Sequence, residues 1–303
     1  MQPARPVGLM LLLGAQLAVG AAAIFARYAL TAAQPLAASA LRLLVAAAVL
    51  IAVSAATRTL RTAMRASAGR ILIVAGIFLA VHFATWIWSL EYATIAVSTL
   101  LVCTTPIWTS LYDAVFLKRR LPAAVWCAYL VGGAGLWLIV ATAASVPPVS
   151  GHQLLGVGLA LAGSLAIGAY FILVRSVRAL LPTTAIVTRT YGWAAVALAL
   201  AALAARQPAP PLHATSAWLG ILAMALVSQL LGHTAMNASL RWFSPSAIAM
   251  ATLLEPIVAA VLAATIFGER LTAQAVSGGV ILLGAIAVVL IYESPPTPEL
   301  KLD

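Results

Sequence analysis

One charged side chain, Glu255, lies near the middle of an apolar run, residues 245–267. An ionised carboxylate inside hydrocarbon is costly, so such a residue usually binds a substrate or carries a proton. Coupling or gating is therefore the first hypothesis for Glu255. The alternative is a glutamate that a helix terminus or polar neighbours hold in place in order to join two helices.

Two prolines, Pro106 and Pro256, also lie in the middle of apolar runs. A proline inside a helix removes one backbone hydrogen bond and clashes with the preceding turn. The carbonyls freed in this way belong to Val102 and Thr252. The resulting kinks could act as gating hinges or as fixed bends that shape a helix bundle, and the sequence leaves both interpretations open.

Polar and aromatic side chains recur at helical spacing in two neighbouring runs. The first set is His82, Thr85, Trp86 and Ser89, and the second is Thr105, Trp108, Thr109 and Tyr112. Each set shares one face of a helix. Two such faces could line a pocket that stacks a planar or apolar substrate and bonds its polar end. The predicted cavity-lining residues are His82, Trp86, Trp108 and Tyr112.

A third polar face is formed by Gln229, His233 and Asn237, which follow one another at steps of four. We predict that Gln229 and His233 contribute to the cavity or to hydrogen bonds between helices, together with Gln16 and Ser164. Metal binding by His82 and His233 is the less favoured alternative, because the close ligand spacing of a metal site is missing. We therefore expect neither a metal nor a cofactor.

Three further charged residues fall inside apolar runs. Arg42 and Arg189 each lie about one and a half turns from the start of a run. Each could extend to the lipid headgroups or could flank a path for a substrate carboxylate, and both interpretations stay open. Asp113 lies near one end of its run, and we favour a contact with the basic segment 118–120.

The composition explains why these residues stand out. Of 303 residues, 64% are hydrophobic and 8% are charged, against roughly 25% charged in soluble domains, which excludes a soluble globular protein. A membrane-spanning helix needs about 20 apolar residues. The apolar runs are 7–26, 36–56, 71–90, 94–117, 122–143, 153–174, 183–205, 214–236, 245–267 and 272–292. They predict an all-α integral membrane protein with ten transmembrane helices, the first of which is retained and not cleaved as a signal peptide.

Basic residues are distributed unevenly between the two sides of the membrane that ten spans define. Twelve lie on one side: Arg5, Arg58, Arg61, Arg65, Arg70, Lys118, Arg119, Arg120, Arg175, Arg178, Arg241 and Lys301. Three lie on the other: Arg27, Arg206 and Arg270. Because basic loops stay in the cytoplasm, we predict cytoplasmic termini and an inner-membrane location. The net charge of +10 then needs no nucleic-acid partner, and the expected partners are the lipid bilayer and a small-molecule substrate.

The sequence contains an internal repeat. Residues 89–121 match 239–271 at an offset of 150, with Pro106 aligned to Pro256. We therefore predict two five-helix units, residues 1–146 and 147–303.

The repeat extends to the early part of each unit, where Gly20 matches Gly168 and Arg42 matches Arg189. Because five is odd, the second unit must enter the membrane from the opposite side. Inverted repeats of this kind are typical of secondary transporters, in which the substrate binds between the halves.

The glycines and cysteines of the apolar runs give two further predictions about packing. The fifth and tenth runs contain Gly132, Gly133, Gly135, Gly278 and Gly279. Such glycines permit close helix packing, and a homodimer contact through one of these runs is a further prediction. Cys103 and Cys127 lie inside apolar runs and are expected to be buried thiols.

Three segments of the second half resemble the second EamA repeat of the drug/metabolite transporter (DMT) superfamily. They are Leu254-Glu255-Pro256, Phe267-Gly268-Glu269-Arg270-Leu271 and Gly278-Gly279. Arg42 and Pro106 fit the first repeat, so the resemblance covers nearly the whole chain. It implies ten spans with both ends cytoplasmic, a central cavity built from the first four spans of each half, and export of small metabolites or amino acids. The first repeat departs from the pattern, with Thr105 in place of Glu255 and Arg119 in place of Glu269.

These features together predict a secondary transporter that exports small metabolites, such as amino acids or related compounds, by alternating access. The sequence contains no GxxxxGKS or GxxxxGKT phosphate loop and no HExxH or GxSxG motif, so we expect neither an ATPase nor another enzyme. The alternative function is a non-transporting membrane sensor or assembly partner with a ligand pocket.

Overall fold

The structure is a computed structural model that describes residues 5–59, 64–93, 95–116, 118, 120–141, 152–267 and 273–292. Within these ranges it is helical, and helices occupy each of the predicted apolar runs. Among the described residues, six helical stretches are long and apolar enough to cross a membrane, and three shorter apolar helices accompany them. The described part of the chain is therefore helical, as in an integral membrane protein, while the count of ten spans stays a prediction.

The first half of the chain contains α1 (Arg5–Gly20), α2 (Ala22–Ala29), α3 (Pro35–Ala56), α4 (Ala66–Ser89), α5 (Ile95–Val102), α6 (Thr105–Val115) and α7 (Ala123–Ala141). The second half contains α8 (Gln153–Val177), α9 (Thr183–Ala204), α10 (Thr215–Ala223), α11 (Thr234–Ser239), α12 (Pro245–Ala251), α13 (Glu255–Phe267) and α14 (Ala273–Tyr292). A π-helical segment, Met224–His233, joins α10 to α11, and a 3₁₀ turn, Thr252–Leu254, joins α12 to α13.

Prolines and a serine set the starts of several helices. Pro35 and Pro245 occupy the first turns of α3 and α12, where the missing N–H needs no intrahelical partner. The Ser244 hydroxyl accepts the Ala247 N–H at 3.2 Å and so caps α12.

The helices that carry Pro106 and Pro256 are both interrupted just before the proline. The first break separates α5 from α6, and the freed Val102 carbonyl accepts the Thr105 hydroxyl at 2.7 Å. The second break is the 3₁₀ turn before α13, where the freed Thr252 carbonyl accepts the Cys103 thiol at 3.8 Å. Each carbonyl released by a proline therefore has a side-chain partner, and in the second case that partner comes from the other half of the chain.

Helices α3 and α9, which correspond in the repeat, pack against each other in opposite directions. Ser54, near the end of α3, bonds Thr188, near the start of α9, at 2.7 Å between hydroxyl oxygens. At the other end, Oε1 of Gln207, just after α9, accepts the N–H of Leu36 at 2.8 Å and of Ala37 at 3.3 Å. The side chain of Gln207 thus satisfies two N–H groups at the start of α3.

Helices α7 and α14 form the second such pair, and glycines set their separation. A Cβ added at Gly135 would lie 2.7 Å from the Gly278 carbonyl oxygen and 3.0 Å from the Leu282 nitrogen. By contrast, no heavy atom of the described residues outside its own turns of helix lies within 4 Å of the Cβ position of Gly133. The predicted packing role therefore fits Gly135, and the predicted homodimer contact through these helices stays a prediction.

Large apolar side chains cover the outside of the bundle. Met10, Leu130 and Leu200 are 73%, 78% and 62% exposed, an arrangement suited to lipid and not to water. Cys127 also lies on the outside and is exposed, whereas Cys103 is buried. The expectation that both thiols are buried was therefore wrong for Cys127, because its place in an apolar run reflects contact with lipid as well as packing.

Some predicted features lie outside the described residues. They are the boundary between residues 146 and 147, Arg119, Glu269, and the predicted cytoplasmic ends of the chain at 1–4 and 293–303.

Candidate functional site

A cavity of about 50 Å³ lies inside the bundle between the two halves of the chain. It is lined by α1 to α6 from the first half and by α8, the π-helical segment, α11, the 3₁₀ turn and α13 from the second. Its volume is small beside the roughly 300–1,000 Å³ of typical ligand pockets. A solute larger than a few waters therefore needs the helices to move apart before it fits.

The cavity wall includes the guanidinium of Arg42, which α3 carries into the centre of the bundle. The side chain is fully buried, and its Cζ lies 4.1 Å from the centroid of the Phe83 ring. None of its three nitrogens has a hydrogen-bond partner among the described residues. A cation–π contact stabilises by about 0.5–2 kcal/mol, less than the several kcal/mol that removing a cation from water costs. Arg42 is therefore a buried cation that the observed contacts compensate only in part.

The carboxylate of Glu255 also lines the cavity, at the first turn of α13. A negative charge at a helix N-terminus is stabilised by the helix dipole. Glu255 interacts electrostatically with Arg42, but no nitrogen of Arg42 lies within 4.0 Å of a Glu255 carboxylate oxygen. An acidic and a basic side chain therefore line one cavity without an ion pair between them.

Three of the predicted aromatic residues gather at the cavity. His82 and Trp86 stack with ring centroids 6.2 Å apart, and His82 meets His233 edge-on at 6.5 Å. Nδ1 of His82 lies 2.9 Å from the Gly163 carbonyl oxygen. Because a carbonyl can only accept, Nδ1 carries a proton, and in the neutral ring Nε2 is left as an acceptor.

Thr105 holds the position that corresponds to Glu255, and it also lines the cavity. Its hydroxyl lies 3.1 Å from the Ser164 hydroxyl of α8 and bonds the Val102 carbonyl. Nearby, Thr104 lies 3.0 Å from the same Ser164 oxygen. Ser164 therefore makes the bonds between helices that its polarity predicts, and the two halves present different chemistry at equivalent positions.

Other sequence-predicted residues lie away from the cavity wall. Trp108 packs beside Gly168 with its indole nitrogen buried, and Tyr112 stacks on Phe116 with centroids 5.1 Å apart. Gln229 is fully buried near Tyr191 without a well-formed side-chain hydrogen bond among the described residues. The predicted cavity roles of Trp108, Tyr112 and Gln229 stay predictions.

The remaining charged candidates and the prolines take other positions. Asp113 is buried and accepts the Ser246 hydroxyl of α12 at 3.1 Å. Arg189 is partly exposed and donates to the Ala185 carbonyl at 3.0 Å. Pro106 and Pro256 are buried, each in the first turn of the helix that follows a break.

Sequence reasoning missed Phe83, Phe171 and Cys103 as parts of this site. All three line the cavity. Each is an apolar or weakly polar residue within an apolar run, so residue type and spacing could not distinguish it from the core. No group of three His, Cys, Asp or Glu side chains suited to a metal ion occurs among the described residues.

Comparison with known proteins identifies the family. The EamA-like transporter family matches residues 6–141 and, a second time, residues 154–291. The chain belongs to this family. The resemblance to EamA-type members of the DMT superfamily that the sequence predicted is therefore confirmed, and the chain is a multi-pass membrane protein of a transporter family.

Further comparisons bear on the fold of this EamA-like protein. A search of curated proteins finds no match. A solved structure, described only as the crystal structure of a protein, superposes with a TM-score of 0.79. The match covers 95% of this chain and 98% of the other, at 18% sequence identity. A likeness at this identity extends to the fold alone.

Proposed function

We propose that this EamA-like protein is a secondary transporter that exports small metabolites, such as amino acids or related compounds, across the inner membrane. The observation that carries the proposal is the cavity between the two halves, which a basic and an acidic side chain, Arg42 and Glu255, line without an ion pair between them. Secondary transporters bind their substrates in such a place, between repeats and near the membrane midplane.

The packing of corresponding helices supports two inverted five-helix repeats, ten spans in all, with both termini in the cytoplasm. Helices α3 and α9 run in opposite directions, as the contacts Ser54 to Thr188 and Leu36 to Gln207 require. If each crosses the membrane, the two halves enter it from opposite sides. Alternating access then follows when one half moves against the other around the cavity.

The helix breaks support movement at the cavity. Thr105 and Glu255 are the first residues of α6 and α13, and both line the cavity just after a break. At each break some i→i+4 bonds give way to i→i+3 bonds and side-chain contacts, so fewer regular helical bonds are lost when the half-helices rotate. In this proposal Pro106 and Pro256 act as hinges and Glu255 as the coupling or gating residue.

Flux through the purified protein tests the proposal. The full chain is reconstituted into liposomes without ATP, preloaded with one unlabelled L-amino acid, and exposed to the same compound in radiolabelled form, for each standard amino acid in turn. A transporter accumulates label by exchange above protein-free liposomes and above liposomes that received heat-denatured protein. A resistance screen of overexpressing cells against toxic amino acids and analogues selects further compounds. No flux of any compound by monodisperse protein counts against transport.

Cysteine accessibility separates transport from the sensor function. Single cysteines replace Val19 and Ala23, which line the cavity, and Leu130, which is exposed on the outside, in a chain without Cys103 and Cys127. In a transporter, addition of a transported compound should change the side of the membrane from which the cysteines at positions 19 and 23 can be labelled. The labelling of the cysteine at position 130 should not change. Labelling from one side under every condition favours a non-transporting sensor.

A further inference from the structure

The strongest unexplained feature of the cavity is the Arg42 side chain. It is fully buried, its three nitrogens lack hydrogen-bond partners among the described residues, and it lines the cavity. A guanidinium has five N–H donors in a planar fork that matches a carboxylate in two parallel bonds. Phe83 covers one face of the fork but accepts no conventional hydrogen bond. Among the described residues the donors are therefore unsatisfied at the wall of a cavity that admits a small solute only when the helices move apart.

Glu255 is the second cavity residue that could bind a charged group of the ligand. Among the described residues that line the cavity it is the one carboxylate, and it makes no ion pair with Arg42. A simple anion at Arg42 would bring a second negative charge beside Glu255. A simple cation at Glu255 would leave Arg42 without a counter-charge. A molecule with both charges gives each side chain a partner and leaves the filled cavity neutral.

We propose that Arg42 and Glu255 together select a small zwitterion, whose carboxylate binds the Arg42 guanidinium and whose ammonium group faces Glu255. This inference rests on the proposed function and names the substrate class of the same cavity. Nε2 of His82, left as an acceptor by the bond from Nδ1 to Gly163, provides a second site for an ammonium proton. The rest of the ligand packs against the apolar wall that includes Phe171.

The repeat provides a matched control. Arg189 occupies the position that corresponds to Arg42, but it is partly exposed, donates to Ala185 and is absent from the described cavity wall. Of the two corresponding arginines, only Arg42 is therefore expected to bind the zwitterion. Removal of the charge at Arg42 should weaken binding about 100-fold, and the same change at Arg189 should leave it intact.

Binding of matched compounds to the purified wild-type chain tests the inference without depending on a variant that folds. Alanine, valine, leucine and phenylalanine are each compared by isothermal titration with the amide, which lacks the carboxylate, and with the corresponding acid that lacks the amine. We expect at least one zwitterion to bind and both of its analogues to bind about 100-fold more weakly, since each leaves a buried charge unpaired. An amide that binds as tightly as its parent, or no binding by any of the four zwitterions, overturns the inference.

Substitutions at Arg42 and Arg189 test which side chain binds the zwitterion. For the zwitterion that binds best, Arg42→Gln should weaken binding about 100-fold, and Arg42→Lys, which keeps the charge but not the fork, about 10-fold. Arg189→Gln should bind as the wild type does. Equal binding by Arg42→Gln and the wild type overturns the inference. If liposomes exchange a solute without a carboxylate, and this exchange does not depend on Arg42, the zwitterion inference is wrong and the transport function stands. If a zwitterion binds but no flux occurs, the zwitterion inference stands and the transport function is wrong.

Discussion

Stability and function make opposite demands at Arg42, whose guanidinium is fully buried and has no hydrogen-bond partner in the described part of the chain. Replacing buried ionic groups by apolar residues of similar size often stabilises a protein by about 1–4 kcal/mol. The persistence of such a group suggests that binding, and not folding, requires it.

Arg42→Met should therefore raise the unfolding temperature in detergent while abolishing exchange in liposomes. The expected gain is about 1–4 kcal/mol, because the desolvation cost disappears and Met fills most of the volume. Thermal unfolding followed by intrinsic fluorescence measures the first effect and labelled exchange the second. Arg189→Met is the control and should change both quantities little, since Arg189 is partly exposed. A destabilised Arg42→Met that still transports would contradict the argument.

Glu255→Gln tests the coupling role. An amide imitates the neutral carboxyl group in size but cannot exchange a proton, so transport driven by a pH gradient should disappear. Exchange at equal pH should persist only at a higher substrate concentration, because the ammonium group loses its charged partner. The other titratable groups of the cavity, among them His82 and His233, stay in place. Asp113→Asn is the matched control, because Asp113 is a buried carboxylate whose Ser246 bond an amide oxygen can also accept. An unchanged pH dependence in Glu255→Gln would remove the coupling role.

At this scale the sequence singled out four residues that line the cavity: His82, Trp86 and His233 as cavity candidates and Glu255 as a coupling or gating residue. For Arg42 it left two interpretations open, and the roles of all five residues stay predictions. These residues could be found because a polar or indole group inside an apolar run stands out from its neighbours. Phe83 could not, because a phenylalanine in such a run is ordinary until its ring is seen beneath Arg42. Contacts across 41 positions of chain, from 42 to 83, leave no local signal.

At the scale of the helices, the distance between α7 and α14 depends on the absence of a side chain at Gly135. A Cβ at Gly135 would collide with the backbone of α14 at Gly278 and Leu282, so the two helices would have to separate. At Gly133, two residues earlier, an added Cβ would contact none of the residues that the structure describes outside its own turns of helix. The sequence listed both glycines as equals, because spacing does not reveal which face meets a neighbour.

Gly135→Ala should lower stability by about 1–3 kcal/mol, the usual cost of overpacking a close contact. Gly133→Ala should leave stability unchanged or raise it by up to about 1 kcal/mol through helix propensity. Thermal unfolding in detergent and the monodisperse fraction on gel filtration measure the difference. Equal behaviour of the two variants would show that α7 and α14 are not held at the separation described.

Helix positions could be predicted because apolar runs bounded by Pro, Gly and charge give strong local signals. The π-helical segment Met224–His233 could not, since a shift of hydrogen bonds from i+4 to i+5 changes neither composition nor hydrophobicity. This segment contains His233 and Gln229. Segments of this kind frequently lie at functional sites, which is consistent with the position of His233 on the cavity wall.

Over the whole molecule, two signals agree on orientation. The twelve-to-three division of basic residues between the predicted sides predicts cytoplasmic termini, and the opposed directions of α3 and α9 fit an inverted repeat. The sequence could predict this topology because loop charge and repeat parity need no coordinates. Only the structure shows which helices of the two repeats pack against each other and that the Gln207 side chain, just after α9, bonds the start of α3.

Reporter fusions test the orientation. Green fluorescent protein fused to either end of the full chain should fluoresce in intact cells, whereas alkaline phosphatase fused at either end should be inactive, since it needs export to fold. A phosphatase inserted after Arg206, in a loop that the charge distribution places outside, should be active. Phosphatase activity at one end of the chain would mean an odd number of spans.

The contact between the Cys103 thiol and the Thr252 carbonyl has a practical consequence. It joins one half of the chain to the break in the other, so any motion that parts the halves also uncovers the thiol. The chain has two cysteines, and the other, Cys127, stays exposed on the outside. The rate at which Cys103 reacts with a maleimide therefore reports the conformational state of the unmodified protein, and ligands can be ranked by how they slow or speed that reaction before any of them is known to be transported.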